Sequence, residues 1–286
     1  MSMLCDCHIH TQFSGDSETP VRDQLERAIA LGMDTVCLTD HHDWGATDRD
    51  GVPTDRFTLD FDRCVPALEA IREEYRGRLD VRIGVELGLQ LRAEADTREV
   101  LRRWRDRLDY IIGSNHFIDA YDVYYPEWHS MSPLSDPEAA ERERYRRFFE
   151  ISLERIQHYS APPVPAFDSL GHLDFVVRYG PNKNRNYSFK AYADVLEPIL
   201  ETLVRRDLAL EVNSGGFKYG LEQPNPAADI LTRYRELGGK LITVGSDAHV
   251  PGFVGFEFAR TAELLRSLGF REYAVYRSHR PELRAL

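Results

Sequence analysis

Imidazoles and carboxylates alternate in a few short segments of this sequence, each at the end of an apolar run. The first, Asp6-Cys7-His8-Ile9-His10-Thr11, closes the run 4–8. Side chains along a strand alternate between faces, so His8 and His10 share one face and Cys5 and Cys7 point the other way. A His-x-His pair so placed can grip one metal ion with both rings. Thr39-Asp40-His41-His42-Asp43 follows the run 35–39, Glu86 ends 81–87, and Asn115-His116 follows 110–114. Gly171-His172-Leu173-Asp174 and Gly245-Ser246-Asp247-Ala248-His249 repeat the pattern downstream. Any one of these alone has a bland reading, a capped turn or a hydrogen-bonded core imidazole. Six strand ends carrying them together, mostly behind small Gly or Ser residues, point to one metal centre.

Imidazole and carboxylate donors without thiolates on the same face suit borderline to hard divalent ions such as zinc, manganese or iron. One ion takes roughly four to six donors and these strand ends offer about nine, so two or three ions sharing a bridging carboxylate are expected. Such sites serve mainly hydrolysis at phosphorus or carbonyl centres, where the ions generate hydroxide and neutralise the leaving group.

The elements that must position these groups are short β-rich runs at 4–8, 35–39, 81–87, 110–114, 169–172, 208–213, 241–246 and 273–276, separated by amphipathic stretches. That alternation reads as βα units around a parallel sheet, whose strand C-termini meet at one rim. In the first helix Thr19 offers an N-cap oxygen, Pro20 suits the first turn, Val21, Leu25, Ala28 and Ile29 form an apolar stripe, and Gly32 can close the end. Seven or eight such units in 286 residues predict a barrel rather than an open sheet, and one domain over 1–286.

With 36 Lys+Arg and 47 Asp+Glu, 36 − 47 gives a net charge of −11. Acidity without a basic stripe argues against a duplex nucleic-acid partner. The arginines of 98–107 and 142–147 are interleaved with acids and read as solvated helix faces. No apolar run approaches the roughly 18 residues of a membrane span. The opening residues 1–6 lack the basic and apolar regions of a secretory signal, so a cytoplasmic location is expected. Four cysteines in no spaced framework predict free thiols in a reducing compartment.

In order, Asp6 through Thr11 with Ser14-Gly15-Asp16, Leu38-Thr39-Asp40-His41, Gly84-Val85-Glu86-Leu87-Gly88 and Ile112-Gly113-Ser114-Asn115-His116-Phe117 open a longer series. Gly171-His172-Leu173-Asp174, Arg178-Tyr179-Gly180, Glu211-Val212-Asn213-Ser214-Gly215-Gly216 and Gly245-Ser246-Asp247-Ala248-His249 complete it. Over nearly the whole chain this series resembles the polymerase and histidinol phosphatase (PHP) family. Tyr124-Tyr125-Pro126-Glu127 and Arg178-Tyr179-Gly180 point to its phosphatase branch. The resemblance implies a distorted TIM-like (β/α)7 barrel, the PHP fold, and three divalent ions, Zn, Mn or Fe. His8, His10, Glu86 and Asp247 would hold the first, Glu86, His116 and His172 the second, and Asp16, His41 and His249 the third. His41 is preferred to its neighbour His42.

The reaction implied is hydrolysis of L-histidinol phosphate to L-histidinol and phosphate in histidine biosynthesis, through a metal-bridging hydroxide. Phosphate monoesters need up to about 10²¹-fold acceleration, more than one arginine can supply. Arg178 and Lys218 are the expected cations for the phosphoryl oxygens. Asp174 or a metal-held water would protonate the leaving alkoxide. Tyr125 and Glu127 are expected against the substrate's amine and imidazole, and Asp6 and Asp40 as acceptors that fix imidazole tautomers. A nuclease or another phosphoesterase of the same family is the alternative enzyme, and a metal-binding structural barrel the non-enzymatic one.

Overall fold

Parallel strands covered on both faces are built from nearly continuous apolar runs, and seven such runs form the wall of this protein. The structure, a computed structural model, describes residues 3–118, 121–129 and 132–286. Met1 and Ser2, part of the opening on which the leader expectation rests, lie outside the described residues. In chain order the strands are β1 (Cys5–Ile9), β2 (Thr35–Leu38), β3 (His41–His42), β4 (Asp80–Gly88), β5 (Tyr110–Ser114), β6 (Phe117–Ile118) and β7 (Tyr121–Asp122). They continue with β8 (Ser169–Leu170), β9 (Ala209–Asn213), β10 (Ile242–Gly245), β11 (Glu272–Arg277) and β12 (Arg280–Ala285).

Pairing runs β1-β2-β4-β5-β8-β9-β10, parallel throughout, with β3 continuing the line of β2 along β4. The ends of this order meet at the rim, where Asp247 N–H donates to the His8 carbonyl (2.9 Å) and His10 N–H to that of Ala248 (2.9 Å). The result is a nearly closed seven-stranded barrel. Helices surround it: α1 (Val21–Ala30), α2 (Phe61–Glu74), α3 (Glu94–Trp104), α4 (Pro126–His129), α5 (Pro137–Tyr159), α6 (Ala193–Arg205), α7 (Ala228–Glu236) and α8 (Phe258–Ser267).

The helix α1 shows how the pattern becomes structure. Val21, Leu25 and Ala28 are buried as the stripe requires, and Gly32 closes the turn at φ +76°, where a side chain would be strained. Thr19 does not cap it. Its hydroxyl donates instead to the His249 carbonyl (2.7 Å), tying the start of α1 to the rim loop after β10. The arginines of 98–107 sit as solvated pairs, Arg98 with Glu94, Arg102 with Glu99 and Arg107 with Glu69. No helix among the described residues is long and apolar enough to cross a membrane.

Two expectations change. The run 273–276 is not an eighth barrel strand: β11 turns back through Ser278 and His279, both at positive φ, and pairs antiparallel with β12. This hairpin packs under the barrel, where Arg82 donates to the Tyr276 carbonyl (3.2 Å) and the Tyr276 ring stacks on Tyr110. The β1/β10 seam is bridged at Ile9 and Ala248, and β11 takes β12 as its hydrogen-bonding partner instead. Second, Cys5 and Cys7 do not face away from the site. The β1 register slips between Asp6 and Ile9, so the consecutive Cys7 and His8 both turn inward, Cys7 toward Ala274 of the hairpin and His8 toward Glu211.

His279 latches the hairpin to the barrel through Asp168 (2.8 Å) and the Arg105 carbonyl (2.9 Å). Burial disfavours its charged form, but the hydrogen bond and charge of Asp168 outweigh burial and raise its pKa. A raised imidazole pKa adds stability that is complete below the unfolded value, about 6.5, and is lost as pH rises through the folded value. The destabilisation caused by His279→Ala is expected to be larger at pH 5.5 than at pH 9. Urea unfolding at the two pH values checks this, and an equal loss at both refutes a charged latch.

Candidate metal centre and active site

Each barrel strand delivers its polar residues to the same rim, and close backbone approach lets them meet. A Cβ on Gly245 would lie 2.3 Å from that of His8, so only glycine lets β10 pass this close to the first histidine. His8 Nε2 and His10 Nε2 are 3.0 Å apart, and Glu86 Oε2 is 3.3 and 3.5 Å from them. Asp247 Oδ1 lies 3.8 and 3.3 Å from the same nitrogens. Four donors about 2.1 Å from one ion in a tetrahedron stand about 3.4 Å from one another, the spacing seen here.

The other carboxylate oxygen, Glu86 Oε1, lies 3.1 Å from His116 Nε2 and 2.8 Å from His172 Nε2, themselves 3.5 Å apart. Asp16 Oδ2 lies 3.5 Å from His41 Nε2 and 3.2 Å from His249 Nε2. All nine expected ligands thus converge, with Glu86 shared between two groups. His42 turns away: its Nδ1 accepts from the Leu59 amide (3.1 Å), and its ring packs on Phe61.

Buried Glu86 Oε2 and His41 Nδ1 stand 2.9 Å apart, yet neither has a well-formed hydrogen bond among the described residues, a cost that a bound cation removes. Burial would raise the pKa values of Glu86 and Asp247, but the surrounding imidazoles, and for Asp247 also Arg178, hold both well below the usual carboxylate range. Burial opposes protonation of His116, yet Asp43 and Glu86 overcome it and lift its pKa to about 10. Metal binding there releases a proton. Asp247 sits at φ +58°, a costly backbone for a non-glycine residue, held at the centre of the site.

Over this cluster opens a cavity of about 510 Å³. Its wall includes Arg178, the rings of Phe175, Tyr125, Tyr179 and Tyr219, and the buried acid Asp122. The Arg178 guanidinium lies between Phe175 and Tyr219 and donates to Asp247 (2.7 Å), Asn213 (2.9 Å) and Asn225 (2.7 Å). Three of its five N–H groups are used, leaving two for a ligand. Burial lifts the Asp122 carboxyl to about 6.

Other expected contacts stand elsewhere. Lys218 donates to the carbonyls of Ser246 (3.1 Å) and Asp247 (2.9 Å), bracing the rim from behind. Asp174 accepts from Asn225 (2.6 Å) and from the Ala227 amide (2.9 Å), so both oxygens secure the loop that holds Arg178's partner. Glu127 is exposed and paired with Arg49, outside the cavity. The reason is local: α4 lifts Glu127 to the surface, while β7 keeps Asp122 beneath.

The family model of the PHP domain matches residues 6–215, nearly three quarters of the sequence. The chain belongs to the PHP domain family. It is similar to a histidinol-phosphatase of Lactococcus lactis, 27% identical over 95% of this chain and 93% of that protein. A probable histidinol-phosphatase of Deinococcus radiodurans is 29% identical over 95% of this chain and 96% of its own length. Among solved structures, the Lactococcus lactis histidinol phosphate phosphatase, crystallised with zinc, L-histidinol and phosphate, superposes with a TM-score of 0.81 at 28% identity. That match covers 97% of this chain and 98% of the other.

The rim of this PHP domain fits divalent ions. What aims its rings, however, was only partly visible in sequence. Glu211, midway along β9, accepts from His8 Nδ1 (2.6 Å) and from the His172 amide (2.8 Å), leaving His8 Nε2 toward the ligand cluster. Asp43 does the same for His116 Nδ1 (3.0 Å). Asp40 acts one step removed: Ser14 donates to it (2.8 Å) while meeting His10 Nδ1 (3.0 Å). The expectation for Asp6 is corrected. Its carboxylate accepts from Ser246 and from the Gly255 amide, so it fastens backbone and touches no imidazole. Arg56, also in the cavity wall and held by the Gly15 carbonyl (2.8 Å), is a cation missed because it lies in an irregular loop.

Removing such an orienting carboxylate costs metal affinity about 10–100-fold in comparable sites. Glu211→Gln is expected to weaken zinc binding within that range while the far-ultraviolet circular dichroism stays unchanged. A competition titration against a chromophoric chelator measures it, and unaltered affinity removes Glu211 from this role.

Proposed function

We propose that this PHP domain, acting as one unit over 1–286, hydrolyses L-histidinol phosphate to L-histidinol and inorganic phosphate, a reaction of histidine biosynthesis. The observation that carries the reading is the junction of two environments. A rim of nine imidazole and carboxylate side chains opens directly into a cavity whose wall carries a buried arginine, a sleeve of aromatic rings and a buried acid. The relative crystallised with zinc, L-histidinol and phosphate supports the same reading. Three divalent ions fit the donor sets His8, His10, Glu86 and Asp247; Glu86, His116 and His172; and Asp16, His41 and His249. Bound there, such ions supply Lewis-acid neutralisation of phosphoryl oxygens and acidify attacking water.

The chain's own residues do the rest. Arg178 binds the phosphoryl group with its two remaining N–H donors, and its three protein contacts fix the plane of the fork beforehand. Tyr125, Phe175 and Tyr179 flank the imidazole, and Asp122 faces the ammonium in place of Glu127. Lys218 supports the rim loop rather than the substrate. Asp174, engaged at both oxygens, leaves protonation of the alkoxide to water in the cavity. A small phosphate ester that carries an ammonium and an imidazole suits this enclosure, and a cytoplasmic enzyme of net charge −11 without a basic track suits no nucleic-acid strand.

Incubating the zinc- or manganese-loaded protein with L-histidinol phosphate, and separately with single-stranded DNA, tests the reading. Phosphate release that a chelator abolishes is the expected result. Cleavage of DNA without release from the amino-alcohol ester overturns it.

A further inference from the structure

Below the imidazole and carboxylate rim, the barrel holds a second set of potential ligands of opposite chemical character. Cys5 and Cys7 on β1 and Cys37 on β2 bring three sulfurs within 4.8 Å of one another, and the Cys5 and Cys7 sulfurs are 3.7 Å apart. All three thiols are sealed from solvent, at 0%, 1% and 0% exposure. The arrangement follows from two features of the chain. Adjacent parallel strands place Cys5 opposite Thr35 and Asp6 opposite Val36, which brings Cys37 beside the Cys5-x-Cys7 pair. The slip in β1 then lets Cys7 stay inward while His8 also turns inward to the rim above.

We propose that Cys5, Cys7 and Cys37 form a separate three-sulfur site for a soft, thiophilic d10 cation, Cu(I) foremost. Sulfurs about 2.3 Å from one ion are about 3.8 Å apart in a tetrahedral set and about 4.0 Å apart in a trigonal one. The Cys5–Cys7 separation of 3.7 Å matches that spacing, and Cys37 joins within the 4.8 Å that encloses all three sulfurs. Thiolates select soft ions, whereas the rim's nitrogen and oxygen donors suit harder ones. The two sites therefore sort metals by chemistry within one barrel. No fourth Cys, His, Asp or Glu joins the sulfurs among the described residues, which falls short of the four-donor set of structural zinc and favours a three-coordinate ion. The Ala274 carbonyl, 3.9 Å from the Cys7 sulfur, closes the lower side.

Binding replaces the three thiol protons with one cation, three protons being released and no electrons transferred when the copper is supplied as Cu(I). The bound ion would clamp β1 to β2 immediately beneath His8 and His10. Because the sulfurs are sealed from solvent, loading is expected during folding or at elevated temperature.

The test uses the full chain with its rim loaded with zinc, refolded or warmed anaerobically with Cu(I) supplied as its bathocuproine disulfonate complex. One tightly held copper per chain, retained zinc, and an all-sulfur first shell in copper-edge X-ray absorption are expected. Cys37→Ser should lose the copper, and Cys64→Ser, whose thiol lies on α2, should keep it. Where Cys37→Ser folds poorly, the X-ray absorption of the unmodified protein decides alone. Absence of bound copper, a nitrogen or oxygen first shell, or copper retained by Cys37→Ser overturns the proposal. Phosphate release by the zinc-loaded protein is read in the same samples, so failure of the thiol site and failure of the proposed hydrolysis are distinguished.

Discussion

Glu86→Ala is expected to lower phosphate release from L-histidinol phosphate by on the order of 10³-fold or more, the scale of losing a principal electrostatic stabiliser. Glu86 is where this centre is joined: one oxygen stands among His8 and His10, the other between His116 and His172. Its carboxylate is fully buried, and five imidazoles, those of His8, His10, His41, His116 and His172, lie within 3.5 Å of it. Removing it leaves those rings without the negative charge that balances a cation at either position. Bound metal should fall with the rate, as measured by plasma mass spectrometry on dialysed protein. Glu86→Gln, which keeps the volume, separates loss of charge from loss of packing and should share the defect. Unchanged metal content and rate in both variants would contradict the assignment.

Arg178→Lys is expected to reduce kcat/KM by about 10²-fold or more, because a point charge cannot reproduce a fork that grips three protein groups and a ligand together. The native guanidinium reaches Asp247, Asn213 and Asn225 at once while lying between two aromatic rings. Lysine keeps the positive charge beside Asp247 but loses the fixed plane. The variant should therefore retain metal better than Glu86→Ala and bind inorganic phosphate more weakly as a competitive inhibitor. Phosphate inhibition unaffected by the substitution would remove Arg178 from contact with the phosphoryl group.

The convergence of imidazoles and carboxylates on one rim was legible in sequence because strand periodicity and the parallel rule act locally. Given His8-x-His10, Glu86, His116, His172 and Asp247-x-His249 at strand ends, a barrel has one place for them to meet. The seven-stranded wall was legible for the same reason. What stayed hidden depended on contacts between distant segments. Glu211 stands in the family-like series without an assigned role, and only the approach of β9 to β1 shows that it aims His8. The inward turn of Cys7 depends on a slip in β1 that strict alternation cannot express. Tyr273 to Tyr276 has a buried strand's composition whether it enters the barrel or closes its base. Glu127 and Asp122 are five residues apart, and which one faces the cavity is settled by the short strand that carries Asp122 and the short helix that carries Glu127.

The most direct measurement is anomalous diffraction at the zinc and manganese edges from crystals soaked in phosphate. Three peaks enclosed by His8, His10, Asp16, His41, Glu86, His116, His172, Asp247 and His249, with phosphate between them and Arg178, are predicted. Metal bound away from these side chains, or phosphate seated where Arg178 cannot reach it, would contradict the account.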